Sequence, residues 1–278
     1  MSAQKADQGE QKQVQGAVTK AIKGTGDTIE GTLDVARSST VKALKGVGEV
    51  AGIVPKVTAD ILTGTLRAAN DVGSELGNVV KGAVIGIIKG TAEVASVTVG
   101  SLADIAKSAI GQASDVGEDL GEVALRTTQG AIAATKDVTL NLTDAAVSVA
   151  RGTIHGVSEV GGDLGKTARN AIHGTIAGAQ EAGGDVMKAT SGSARGLIKG
   201  TAEVGGDLAK VARSAVEGAI DAAKELGLKA EDAAAAAANG AIEGAGEVGE
   251  SAVKAVTGAV TTTIKGVKVA VKEPFKKG

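Results

Sequence analysis

A unit of 22 residues recurs through the chain without visible insertion, and it limits the fold more than any other feature of the sequence. Counting in steps of 22 gives Asp27, Glu49, Asp71, Glu93, Asp115, Asp137, Glu159, Glu181, Glu203, Glu225 and Glu247, acidic every time. Seventeen residues into each copy stands Leu44, Leu66, Ile88, Ile110, Ile132, Ile154, Ile176, Ile198, Ile220, Ile242 or Ile264. A repeat of this length is one supersecondary unit, which cannot cover its own apolar side and needs neighbours. The best-preserved copies run from Glu159 to Lys224. Three of them carry Gly161–Gly162, Gly183–Gly184 and Gly205–Gly206.

The spacing within a copy selects helix over strand. In the copy beginning at Glu203 the apolar residues are Val204, Leu208, Ala212, Ala215, Val216, Ala219, Ile220 and Ala223. Steps of three and four are helical, and alternation by two is missing. Six turns in 22 residues is about 3.7 residues per turn, so the apolar side hardly drifts along the helix. The other side carries Asp207, Lys210, Arg213, Ser214, Glu217 and Asp221. Two further columns are mostly glycine and lie four residues apart, as in Gly196–Gly200 and Gly240–Gly244. That spacing suits close approach of two helices. It equally suits a helix merely softened by small residues. Glycine costs about 0.8–1 kcal/mol relative to alanine inside a helix. Over 42 glycines the sum is on the order of 30–40 kcal/mol. A free helix of this composition is marginal in water. The apolar side therefore needs a cover: a lipid surface, a partner helix, or the chain folded back on itself.

Composition narrows the field. Of 278 residues none is Cys, Trp or Tyr, and Phe275 is the sole Phe. Aromatic side chains supply much of the buried area of ordinary cores, so an ordinary compact domain is not expected. The absence of cysteine excludes disulfides and thiolate metal sites, and leaves the redox compartment open. A net charge of −2 gives no field that would draw nucleic acid. Apolar runs such as Val94–Ala103 end at a charge after about ten residues, short of the roughly 20 that span a bilayer.

The predicted architecture is all-α: a long amphipathic helical array of 22-residue repeats, each twice eleven, over residues 14–268. A polar tail precedes it at 1–13 and a basic tail follows at 269–278. Pro55 predicts a break near Ile53–Val54. An unbroken helical phase favours one rod. A turn built into each copy at the Gly-Gly pairs gives the alternative, stacked short helices of about 18 residues.

Letters of catalytic motifs occur without their context. His155 and His173 lie on the polar side of different copies, without Cys or a second His beside them, and read as surface residues. Gly165-Lys166-Thr167 has Val160 where a phosphate loop needs its first glycine. Gly244 to Gly249 matches a dinucleotide fingerprint by letter, but no strand precedes it and its glycines belong to the repeat. Members of the acidic column stand about 33 Å apart on a straight helix, too far to share an ion, so the column reads as a flank offering ion pairs. No catalytic, cofactor or metal site is expected, and the chain reads as non-enzymatic.

Segments such as Gly196–Val204 (GLIKGTAEV) and Gly240–Val248 (GAIEGAGEV) resemble the eleven-residue repeats of synucleins and perilipins. The resemblance covers residues 14–268 as composition and period. It implies a chain unfolded in water that turns helical on a lipid droplet or membrane, and a cytoplasmic protein peripheral on that surface. Stress-protective late embryogenesis abundant proteins are similar in using eleven-residue repeats. Three functions follow. The first is a lipid-surface coat. Its lipid-facing residues would be the Leu/Ile column together with Val50, Val72, Val94, Val116, Val138, Val160, Val204 and Val248. The second is a stress protectant, disordered when wet. The third is a self-assembling helical scaffold, for which a net charge near zero favours self-association. The basic C-terminal tail suits anionic headgroups or plain solvent.

Overall fold

The computed structural model describes residues 2–25, 27–45, 53–73 and 75–271. Among them the chain is all-α apart from one small hairpin. The helices are α1 (Ser2–Thr25), α2 (Thr28–Leu44), α3 (Val54–Val72), α4 (Leu76–Val94), α5 (Val99–Asp115) and α6 (Leu120–Ala133). They continue with α7 (Leu142–Glu159), α8 (Leu164–Glu181), α9 (Val186–Glu203), α10 (Leu208–Glu225), α11 (Ala230–Val248) and α12 (Glu250–Val260). Strands β1 (Thr263–Ile264) and β2 (Val267–Lys268) pair antiparallel after α12. Helical structure thus starts at Ser2, within the stretch read as a polar tail.

The chain is divided into separate helices, not drawn out as one rod. Asp119, Asn141, Asp163, Asp185 and Asp207 each precede a helix and accept backbone N–H bonds from its first turn, the usual chemistry of a helix start. The other end of the turn is written in glycine. Gly183 has φ +68°, and the N–H of Gly184 donates to Ala179 O at 2.9 Å. This six-to-one bond closes the helix as a Schellman motif, which needs a left-handed residue. Gly161 and Gly205 repeat it at φ +71° and +70°. In two copies the column holds Ala95 or Thr139 instead. There the exit differs: Ala95 is extended, and α6 ends in a 3-10 turn at Ala134–Asp137. Pro55 lies in the first turn of α3, where its missing N–H costs nothing.

Each helix packs mainly on the one two places before it: α4 on α2, α8 on α6, α9 on α7, α11 on α9. Odd and even helices thus form two rows, and within a row neighbours run parallel. The core lies between the rows and continues from Val14 to Val269 as two clusters that meet at Leu164 and Val186. Buried threonines keep their hydroxyls satisfied internally: Thr153, Thr175 and Thr201 each donate to the carbonyl four residues back. The resemblance implied a chain unfolded in water; here the helices cover one another. Aromatics are not needed for this, because small residues let whole backbones come together. The helical pattern also stops early. After Val260 the β-branched Thr261–Thr263 lead into a turn at Lys265 (φ +48°) and Gly266 (φ +80°), so Ile264 keeps its column but sits in a strand.

Gly205→Ala should lower stability by about 1–2 kcal/mol, the cost of a left-handed alanine. Gly246→Ala should raise it by roughly 1 kcal/mol, since an added Cβ there meets nothing within 4 Å. Urea midpoints of the two variants check the pair.

Candidate functional site: a glycine and carboxylate clamp between alternate helices

The glycine columns face the backbone of the helix two places earlier. A Cβ added at Gly152, Gly174, Gly196, Gly218 or Gly240 would lie under 3.0 Å from the carbonyl oxygen of Ala103, Leu125, Val147, Arg169 or Ser191 respectively. The second column does the same: Gly156, Gly178 and Gly244 stand over the carbonyls of Lys107, Gln129 and Arg195. Any side chain there would push the helices apart. Close helix approach is thus the role these glycines take in the structure.

Three residues after each glycine of the second column comes the acidic column, at the end of its helix. The two act on one residue. Arg151 offers its carbonyl to Gly200 and its Nε to Glu203 at 2.6 Å. Lys107 does so with Gly156 and Glu159, the ion pair at 2.6 Å. Gln129 serves Gly178 and Glu181, and Arg195 serves Gly244 and Glu247. Gly-x-x-Glu is therefore a clamp: the glycine reads a backbone oxygen and the carboxylate reads the side chain of the same residue.

The N-terminal pair uses the same clamp one turn out of step. Gly196 stands over Val147, 49 residues back, whereas Gly86 stands over Leu33, 53 back. The cause is local. Later copies have their clamped residue in the column of Lys107, Gln129, Arg151, His173 and Arg195; in α2 that column holds Val41 and the arginine is Arg37. Arg37 accordingly pairs with Glu93. In α1, Gln15 takes the matching place and donates to Asp71 at 2.6 Å.

Several carboxylates are tuned by these contacts. Burial works to raise Glu203, but bonds from His155 and Arg151 outweigh it and hold the carboxyl below its ordinary range. Burial likewise opposes, and Lys199 and Arg195 overcome, the effect at Glu247. Asp221 is lowered in the same way by Lys265 and Arg169. The N-cap carboxylates are also lowered: Asp163 by the Lys166 backbone N–H and the Lys210 ammonium, and Asp119 chiefly by Lys166.

Every member of the Leu/Ile column from Leu44 to Ile264 is buried. Val94, Val116, Val138, Val160 and Val204 are half-buried at helix ends, packed against the core. Val248 is 45% exposed. Val50 and the side chain of Val72 lie outside the described residues, as do Lys272, Lys276 and Lys277 of the basic tail. His155 and His173 are not brought together; each turns to a glutamate two helices on, Glu203 at 2.7 Å and Glu225 at 3.4 Å. Lys166 of the Gly-Lys-Thr stretch reaches Asp119 at 2.7 Å, and Gly244–Val248 closes α11. Among the described residues no group of His, Asp and Glu could hold a metal ion. The largest groove, about 750 Å³, is open and lies on the outer side of α2 between Asp34, Arg37, Lys42, Lys45 and Glu93. The clamp itself escaped sequence reading because its parts belong to copies two apart. Its trace was the column Lys107, Gln129, Arg151, His173 and Arg195. No family model matches the chain, and no curated protein matches it in sequence.

Gly218→Ala should cost about 1–3 kcal/mol through overpacking, despite alanine's better helix propensity. The urea midpoint reads it. The pH dependence has a definite sign. Folded carboxyls below their unfolded value of about 4 mean that the unfolded chain binds more protons on acidification. Stability is thus complete above about pH 5 and falls as pH drops through the carboxylate range. Urea midpoints between pH 7 and pH 2.5 measure this, and Glu203→Gln with Glu247→Gln should flatten the fall.

Proposed function

We propose that the protein is a non-enzymatic helical-repeat scaffold, in which the chain itself covers its apolar side and presents a charged, clamp-laced exterior. The burial of the whole Leu/Ile column inside the stack carries this reading. A column already enclosed by its own chain supplies cohesion along the row, and neighbouring repeats contribute stability additively in such arrays. The outer flank then holds the acid–base pairs between alternate helices, which fix spacing.

The lipid coat drawn from the sequence would use the same column on a different cover. It requires the stack to open, exchanging contacts between helices for contacts with acyl chains. A peripheral attachment is the relevant kind, since no helix among the described residues is long and apolar enough to cross a membrane. In a stress protectant the stack would form on drying alone.

Circular dichroism of the full chain in buffer, at two protein concentrations, with liposomes and with an oil emulsion, separates these readings. The scaffold is expected to be helical in buffer at both concentrations, to melt cooperatively, and to change little with lipid. Helix appearing only with lipid would establish the coat instead. Helix appearing only on drying would establish the protectant. Helix that grows with concentration would mean that other copies provide the cover. Ile176→Asp, Ile198→Asp and Ile220→Asp together should abolish the cooperative melt in buffer, while Lys166→Asp, Lys188→Asp and Lys210→Asp together should leave it in place.

A further inference from the structure

The first glycine column has a telling order along the chain: Lys20, Lys42, Gly64, Gly86, Ser108, Gly130, Gly152, Gly174, Gly196, Gly218, Gly240, Thr262. From α3 to α11 the column is glycine in every helix but α5, and in each of these helices the glycine abuts the helix two places before. Helices α1 and α2 have no helix two places before them, and in both the column is lysine. Lys20 and Lys42 are exposed, and neither makes an ion pair among the described residues. Gly16, one turn before Lys20, faces open space, since a Cβ there would meet nothing within 4 Å. Ser38 of α2 likewise stands where α4 has Gly82.

The other end of the stack is closed by different means. Thr262 ends the column, and the hairpin folds Ile264 and Val267 into the core, both buried, with β2 against α11. Lys265 reaches back to Asp221 at 2.5 Å.

We propose that Lys20 and Lys42 block the N-terminal end of the stack, so that a second copy of the chain cannot add there and the scaffold has a fixed length. The contact within each row needs a position without a side chain, because the opposing backbone lies where a Cβ would be. A lysine in that column fails twice: its stem holds the approaching helix off, and docking would strip water from its ammonium without providing a carboxylate. Terminal repeats with a polar outer side are what keeps a stack of repeats from growing. This inference rests on the scaffold reading but fails separately from it: the dichroism test asks whether the stack forms in buffer, and the test here asks what its free end does.

The test is the mass of the full chain in buffer, by light scattering and sedimentation over a hundredfold range of concentration. Four forms are compared: the natural chain, Lys20→Arg/Lys42→Arg, Lys20→Gly/Lys42→Gly and Lys20→Ala/Lys42→Ala. The natural chain and the arginine form are expected to stay monomeric throughout. The glycine and alanine forms should associate at least tenfold more tightly, although losing two lysines makes a chain of net charge −2 more negative. Alanine favours helix, so it decides the matter where the glycine form unfolds. The inference is overturned by natural chains that associate through cross-links at Lys20 or Lys42. It is also overturned by glycine and alanine forms that remain helical and monomeric, or by an alanine form that unfolds, which would make the lysines structural.

Discussion

Everything in this stack depends on two helix backbones touching where glycine removes the side chain. A helix normally keeps its neighbour at 8–10 Å through the side chains between them. Here Gly196 and Gly240 lie against the carbonyls of Val147 and Ser191, and the separation is set by main chain. The contact places many atoms at van der Waals distance, and such weak attractions sum to a large term. It also explains how a chain without Trp or Tyr fills a core: Ala, Val and Ile suffice where the helices themselves come this close. The helix-propensity cost of the glycines is offset by contacts that only glycine permits.

Close packing alone does not choose a register, since a glycine column fits several steps along a parallel neighbour. The acidic column supplies the choice. Glu203 pairs with Arg151, whose carbonyl already faces Gly200, so one residue fixes both contacts. Exposed ion pairs contribute little energy singly; their value here is in excluding neighbouring registers across many copies. The N-terminal pair shows the rule at work. Its arginine lies one turn earlier, at Arg37, and the packing offset follows it.

The placement of charge also orders the outside of the molecule. Carboxylates end the helices and cap the next ones, with Lys166 and Lys210 bridging to Asp119 and Asp163. Both ends depart from the repeat, with lysine in the glycine column at one and a hairpin at the other. In the scaffold reading, such a molecule has long regular flanks and two closed ends.

The sequence by itself determined the local structure. The helical period, the N-caps at Asp163, Asp185 and Asp207, and the glycine pairs that follow each acidic residue act over a few neighbouring residues, and those interactions are legible from spacing. It also determined that the Leu/Ile column must be covered. What covers it was decided only by the tertiary structure. A 22-residue period is the same in a rod on a lipid and in a folded stack, because it describes one helix and not its neighbour. The pairing of alternate rather than adjacent copies, which joins Arg195 to Glu247 across 52 residues, depends on each turn reversing the chain, so that only every second helix runs parallel. The glycine column was visible throughout, but that it meets a backbone carbonyl became evident only when two distant helices lay side by side.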